Sequence, residues 1–494
     1  MGLSLYNTLS GQTEPFQPLQ DNEVRMYACG PTVYDYVHIG NLRTVVAVDV
    51  LRRFLLQSGY KVRHVMNITD VDDKIIKSAA REGLSVKDYT AKYEQAFLED
   101  AAALNIEQPI LVRATDYIQD MARFIDGLVK KGYAYRADDG SYYFRIAKFP
   151  DYGKLSKKDF AGMEDGARVD LDEYDKDSAR DFALWKSPKP NEASWDTVIG
   201  PGRPGWHVEC SVMSMQALGD SFDLHAGGED LIFPHHENEI AQSESFTGKP
   251  FAHFWFHSRF LLVENEKMSK SLGNFFTLRD LVLRGYKPSS LRFLLAATPY
   301  RTQLNFTFDG LHQAATSVDR LRNFQLRLTT TAFSEGKTEA MTRLAAETME
   351  RMRAGLNDDL NTAQAQAAIF DMVRTANAAA DAGEILQDDA PPLLAALTSF
   401  DQIFAVLKDD DAQKMERVLV WARAEGREQD ISPELLEVVQ SNQLSDEQIN
   451  QKLAAMDAAR RVRDFRTSDA HRAELVAAGI MVENTKEGFR WRRK

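Results

Sequence analysis

The run Val24-Arg25-Met26-Tyr27-Ala28 reads as a short strand, stopped by the turn signal Cys29-Gly30-Pro31. From Asn41 to Ser58 the apolar residues Leu42, Val45, Val46, Val50, Phe54 and Leu55 recur close to helical spacing, and Gly59 closes the segment. Lys61 to Ile68 reads as a second strand and runs into Thr69-Asp70-Val71-Asp72-Asp73-Lys74. Strand, helix, strand predicts a βαβ unit and hence a parallel sheet. Ligands of such sheets gather beyond the carboxyl ends of the strands. Cys29 and Thr69 both fall at such ends.

The pattern changes over 115–200. Tyr142, Tyr143 and Phe144 suggest a strand, and the stretch after them is loop-like, rich in Asp, Lys, Gly and Pro. It predicts an insertion between two halves of the sheet, 1–114 and 201–260. A loop-bearing region, 261–310, follows. Beyond it, long Ala-, Leu-, Arg- and Glu-rich segments predict a helical bundle over 311–408 and a smaller terminal domain over 409–494. Breaks are expected at Asp388-Asp389-Ala390-Pro391-Pro392 and at Lys408-Asp409-Asp410-Asp411. The predicted class is therefore α/β with an appended helical region.

Composition adds bounds. A chain of 494 residues with 44% hydrophobic and 27% charged residues has ordinary globular usage and room for large cores. The first ten residues lack a basic start and a sustained apolar run, so no signal peptide is read. No stretch approaches the ~20 apolar residues of a membrane span. Two cysteines in so long a chain argue against a disulfide framework, and a cytoplasmic protein is expected. The net charge of −13 works against nucleic-acid binding, which relies on Lys and Arg. Local clusters work the other way: Arg460, Arg461, Arg463 and Arg466, and the tail Phe489-Arg490-Trp491-Arg492-Arg493. A solvated helix face and an ordinary basic tail account for these equally at this stage.

Three groups of residues carry chemistry. His38-Ile39-Gly40-Asn41 stands where a helix begins after a strand. A helix N-terminus offers unpaired N–H groups to phosphate, Gly40 admits a close nucleotide, and His38 can donate to an oxygen. A surface histidine near a helix start is the bland reading. Lys267-Met268-Ser269-Lys270-Ser271, followed by Gly273 and Asn274, suits a developing pyrophosphate charge, although such a loop alone is usually just polar. Cys29 and Cys210 lie too far apart for a finger motif and fall in the two predicted halves of the sheet. His235 and Glu239 share one helix face at i and i+4. Two thiolates, an imidazole and a carboxylate make a competent zinc set; His236 competes with His235, and spacing alone does not separate them. The alternative is that both cysteines are small buried hydrophobes.

Together the first two motifs resemble the HIGH and KMSKS motifs of class I aminoacyl-tRNA synthetases. Asn41 departs from the class histidine but is common in the cysteinyl branch. Tyr27–Asp35, Asn67–Lys74, Gly205-Trp206-His207-Val208-Glu209-Cys210 and Phe233-Pro234-His235-His236-Glu237-Asn238-Glu239 all resemble cysteinyl-tRNA synthetase, and the likeness extends through Asp358-Asp359-Leu360-Asn361-Thr362 to the tail. The resemblance implies a split Rossmann-like catalytic domain, a tRNA-binding bundle and a C-terminal anticodon-binding domain. It implies one Zn2+ per chain on Cys29, Cys210, His235 and Glu239, and Mg2+ accompanying ATP. It implies catalysis by His38, Asn41, Lys267 and Lys270, and ATP contacts from His38, Gly40, Asn41, Gly227, Gly228, Asp230 and Lys270. Gly30, Thr69 and Trp206 would line the cysteine pocket; the bland readings are a core tryptophan and, for Gly227-Gly228-Glu229-Asp230, a turn. The partners expected are tRNA(Cys), ATP and L-cysteine, with no membrane and a monomeric chain. Lys74-Ile75-Ile76-Lys77 resembles a segment linked in this family to a pyridoxal-phosphate-dependent persulfide activity, and an amphipathic helix start explains those lysines as well.

The expected reaction is formation of cysteinyl-adenylate, then transfer to the terminal ribose of tRNA. Serine differs from cysteine by one atom, and shape separates such isosteres poorly. A soft thiolate binds zinc and a hydroxyl does not. Two alternatives share parts of the pattern. A ligase joining cysteine to an amino sugar would lack the long C-terminal region. A non-catalytic tRNA-binding relative would have broken phosphate motifs, and these are intact.

Overall fold

The computed structural model describes residues 2–158, 181–189, 192–441, 444–485 and 488–493. Most of the loop-like stretch expected within the insertion, 159–180, lies outside the described residues. The centre is a five-stranded sheet of β1 (Glu23–Ala28), β2 (Lys61–Ile68), β3 (Ile110–Arg113), β4 (Phe222–Gly228) and β5 (Ala252–Ser258). Its order is β5-β4-β1-β2-β3, and every neighbouring pair is parallel. The chain lays down β1, β2 and β3 in one direction, then returns to the other side of β1 for β4 and β5. The order therefore reverses between β1 and β4, which opens a crevice beyond their carboxyl ends.

Side chains on the strands alternate between two cores, as the period of two requires. Met26 and Ala28 join one core with Met66, Ile68, Leu224 and Ala226. Tyr27 joins the other with Val65, Phe222 and Trp255. The first core also contains the helix α1 (Ile39–Gln57), which crosses from β1 to β2. The second contains α2 (Trp206–Leu218) and part of α3 (Glu237–Thr247). Helices on both faces explain why the strands are apolar on both sides.

Between the halves of the sheet lies a four-stranded antiparallel sheet built from Ala134–Arg136, Tyr142–Phe144, Phe182–Lys186 and Arg203–Pro204. After β5 come a small sheet and the helices Phe308–Thr330, Glu339–Asn357, Thr362–Asp381 and Ala390–Phe404. Asp388–Pro392 is a break, as expected: the helix Thr362–Asp381 has ended, the short turn Gln387–Asp389 follows, and Ala390–Phe404 begins. Asp389 is fully buried and bonds the Thr338 backbone at 2.8 Å, while the prolines fill the first turn of Ala390–Phe404. A proline there gives up an N–H that no helix would use. The last helices carry a separate small core of Ile449, Leu453, Met456, Leu475 and Ile480, closed by the hairpin Ile480–Thr485 and Gly488–Arg493. No helix among the described residues is long and apolar enough to cross a membrane.

The bundle is tied to the sheet domain by buried charge. Arg292, fully buried, pairs with Asp49 of α1 at 2.6 Å and donates to the carbonyls of Leu104 at 2.8 Å and Ile403 at 3.2 Å. Removing Arg292 leaves the buried Asp49 with Arg53, at 2.8 Å, as its remaining counter-charge and takes the donor away from the carbonyls of Leu104 and Ile403. Arg292→Ala is thus expected to lower stability by about 1–3 kcal/mol, the cost of buried carbonyls left without a donor, read from the shift in a urea denaturation midpoint.

Candidate active site and metal centre

The nucleotide end of the crevice is built at the start of α1. His38 is its N-cap: Nδ1 accepts from the Asn41 N–H at 3.2 Å, and Asn41 Oδ1 accepts from the His38 N–H at 3.3 Å. A capping box satisfies two donors that the helix start would leave open. Since Nδ1 accepts, the neutral ring carries its proton on Nε2. Burial, helped by the charge of Lys270, holds the imidazole at about 4, so the ring is neutral near pH 7. A Cβ on Gly40 would sit 2.9 Å from the His38 ring and 3.0 Å from the Met268 methyl, so only glycine lets the two motifs close on each other.

The second motif reaches this point across the fold. The Ile39 N–H donates to Phe276 O at 2.9 Å, and Phe275 stands edge-on to His38 at 5.1 Å. Ser269 caps the turn Lys270–Leu272, and Asn274 accepts from the Ser269 N–H at 2.7 Å. Lys270 pairs with Asp35, in the loop after β1. Lys267 ends the short strand Glu266–Lys267 and is exposed, near enough to Asp230 for its charge to bear on that carboxyl. Gly227 and Gly228 end β4, in register with His257 and Ser258 of β5. The structure thus brings His38, Gly40, Asn41 and Lys270 together directly, with the β4 end and Asp230 on the opposite wall.

The metal candidates converge at the base of the same crevice. Cys29 follows β1, Cys210 lies on α2, and Glu239 on α3. His235 belongs to the turn Ile232–His236 that leads into α3, and its Nε2 lies 2.9 Å from Glu239 Oε1. The two sulfurs are 3.7 Å apart. A tetrahedral zinc with Zn–S near 2.3 Å separates two sulfurs by about 3.8 Å, so the spacing fits that ion. Cys29, Cys210, His235 and Glu239 offer one donor atom each, all within 4.8 Å of one another. A second quartet, Cys29, His225, His236 and Glu239, meets the same limit.

The carboxylate is the hub of these charges. Burial works against its ionisation, but His225 at 2.8 Å and His235 outweigh burial and pull Glu239 down to about 2. Burial likewise disfavours the His235 cation, yet Glu239 and Cys210 raise it to about 10. Burial pushes the Cys29 thiol up, and Cys210 reinforces this. For Cys210, burial is overcome by the hydrogen bond from Cys29 and the charge of His235, giving about 6.

Three further histidines meet here that the sequence reading did not single out. His207 Nδ1 lies 3.1 Å from His235 Nδ1, His225 holds Glu239, and His257 Nε2 lies 2.8 Å from His236 Nδ1. His225 stands in the apolar run of β4 and His257 in that of β5. A histidine within a doubly buried strand is unusual enough to have marked both.

The residues expected in the amino-acid pocket adjoin the metal candidates: Gly30 follows Cys29, Thr69 bonds Glu209 next to Cys210, and Trp206 stacks on His235. A Cβ on Gly30 would lie 1.9 Å from the Asn67 carbonyl oxygen, so β1 and β2 can end this close only with glycine there. The Thr69 hydroxyl is already engaged, donating to Glu209 at 3.1 Å and accepting from Asn67 at 3.1 Å. Trp206 is 38% exposed and stacks on His235 at 4.2 Å, so it is a wall of the crevice and not a core side chain.

With this geometry, the relatives are decisive. The chain is 66% identical to the cysteine–tRNA ligase of Koribacter versatilis over the full length of both. This chain belongs to the cysteinyl-tRNA synthetases. Identity is 52% to the cysteine–tRNA ligase of Solibacter usitatus, again over both full chains, and 42% to that of Chlamydia muridarum over 99% of each. The family model described as tRNA synthetases class I (C) catalytic domain matches residues 15–316, and the DALR domain matches 351–408. Among solved structures, a Mycobacterium tuberculosis methionyl-tRNA synthetase in complex with methionyl-adenylate aligns with a TM-score of 0.57 at 15% identity, covering 86% of this chain and 95% of its own. A leucyl-tRNA synthetase of Agrobacterium radiobacter aligns with a TM-score of 0.58 at 11% identity, covering 79% of this chain and 85% of its own. At such identities these two speak for the class I synthetase fold alone.

Proposed function

We propose that this chain activates L-cysteine with ATP and transfers it to the 3′ end of tRNA(Cys), selecting the substrate thiol at a zinc ion held by Cys29, Cys210, His235 and Glu239. The observation that carries this reading is a pair of sulfurs 3.7 Å apart at the base of the crevice whose rim is the capped start of α1. The Cys210 and His235 quartet is favoured over its alternative because His235 lies against the exposed Trp206, where a substrate side chain can arrive. His225 and His236 instead pack against Trp255, and His236 meets His257 of β5. They suit the role of orienting Glu239 and Cys29. Zinc there supplies a soft acceptor that a thiolate ligates and a hydroxyl does not.

The remaining work falls to positioning and charge. The cysteine carboxylate attacks the α-phosphate, forming cysteinyl-adenylate and releasing pyrophosphate. The His38 Nε2–H donates to a phosphate oxygen, and Lys270, with Lys267 assisting, neutralises the charge that develops on the leaving pyrophosphate. Asn41 keeps His38 oriented through the capping box. Gly40, Gly227 and Gly228 admit the nucleotide, Asp230 accepts from its ribose hydroxyls, and Mg2+ accompanies the phosphates. Gly30, Thr69 and Trp206 line the amino-acid pocket, Thr69 by holding its wall. The tRNA terminal hydroxyl then attacks the acyl carbon and AMP leaves.

The bundle and the C-terminal unit would hold the rest of the tRNA. Phe489 and Trp491 of the terminal hairpin, with the Arg460 guanidinium 5.0 Å from the Phe489 ring, suit contacts to unpaired bases.

A charging assay with cysteine and serine side by side tests the reading. Cysteine is expected to be charged onto tRNA(Cys), with serine discriminated by well over about 100-fold, the limit for a pocket that works by shape. Discrimination within that limit, or undiminished charging after the metal is stripped, would sink it.

A further inference from the structure

Asp35 is a carboxylate at the lip of a site that must take up a polyanion, and the activation steps above leave it without a role. Its Oδ2 holds the Nζ of Lys270, and its Oδ1 accepts from the Tyr36 N–H at 2.8 Å. Tyr36 is itself clamped. Its ring meets Tyr93 edge-on at 5.3 Å and Trp421 edge-on at 5.4 Å, and the Trp421 indole N–H donates to its hydroxyl at 3.0 Å. The Arg279 guanidinium lies 5.2 Å from the same ring and is fixed in turn by Glu99 at 2.8 Å and Asp100 at 2.9 Å. Most exposed ion pairs lose much of their value in ordering two free side chains. Here one partner is ordered in advance by its own backbone and its neighbour's packing. Lys270 is thereby kept beside the His38 and Phe275 rings, its Nζ 5.1 Å from the latter.

We propose that Asp35 is a positioning residue that holds Lys270 while the phosphate site is vacant, and that ATP must displace it. This rests on the reading of Lys270 as the pyrophosphate-facing lysine. The consequence runs in both directions of the activation step. Entering phosphates compete with Asp35 for the ammonium. After adenylate forms, Asp35 takes Lys270 back, and pyrophosphate is released more readily. A group that merely supported the loop would, when removed, weaken nucleotide binding; Asp35 is distinguished by the opposite sign.

The test is isothermal titration of ATP and of inorganic pyrophosphate into the full metal-loaded chain. Asp35→Asn is expected to tighten both by roughly two- to five-fold, the range an exposed ion pair is worth. Asp35→Glu, which restores the charge, should return both constants toward the parent values. In a Lys270→Ala chain, adding Asp35→Asn should shift either constant by less than about 1.5-fold, since no ammonium is left to withhold. Asp35 is about one-third exposed, with 33% side-chain accessibility, so an unchanged melting midpoint should accompany these shifts. Unchanged or weakened binding in Asp35→Asn overturns the proposal while leaving the Lys270 assignment standing. Parent-like pyrophosphate exchange in Lys270→Ala overturns the assignment itself, and the proposal with it.

Discussion

Cys210→Ser is expected to lose the proposed zinc and, with it, cysteine-dependent pyrophosphate exchange. Changes to groups that only orient a metal ligand cost about 10–100-fold, so loss of a ligand should exceed 100-fold. The argument is one of donor chemistry. Cys210 is held near 6 by its partners, which makes its thiolate available at neutral pH, whereas a serine hydroxyl stays protonated and hard. The residue is 1% exposed and sits within the second core, so a slightly smaller polar side chain disturbs little volume. Metal content by elemental analysis and exchange with saturating cysteine should fall together. ATP binding should persist, because His38, Gly40 and the β4 end do not depend on the sulfur. A metal-free Cys210→Ser protein with parent-like exchange would rule out the zinc assignment.

The second large effect is expected from Lys270→Ala. Deleting one preorganised donor from a developing charge costs roughly 10²–10³ in rate. Lys270 is an exposed loop residue, its side chain 62% accessible, so its loss should scarcely touch stability. Pyrophosphate exchange is the readout, together with cysteine affinity by titration. Exchange should collapse and cysteine affinity should stay within about two-fold, since the sulfur-binding end lies at the base of the crevice and the lysine at its rim. Loss of cysteine binding with exchange chemistry intact would mean that the loop acts on the amino acid and not on the phosphates. Lys267, exposed at the end of its short strand, makes the milder comparison.

Much of the architecture was legible because it is local. The strand read at Val24–Ala28 is β1, observed from Glu23, and the one read at Lys61–Ile68 is β2 with the same ends. The helix read from Asn41 begins two residues earlier, at Ile39, because His38 caps it through Asn41. The fold class held for the same reason: strand, helix and strand in order leave a parallel sheet as the only compact solution. Asp388–Pro392 was legible as a break because prolines cannot continue a preceding helix but suit the first turn of a new one, and the buried Asp389, bonded to Thr338, fixes where that new helix starts.

The site divides along the same line. Sequence alone determined the phosphate-binding helix start, the lysine loop and the donor types available for a metal, since each is a property of a few consecutive residues. Tertiary structure decided that Cys29 and Cys210 stand 3.7 Å apart, that His207, His225 and His257 join His235 and His236, and that Asp35 holds Lys270. Those contacts follow from where the strand order reverses between β1 and β4. No local spacing encodes that reversal; it is set by burial of both faces of the sheet, to which the whole catalytic region contributes.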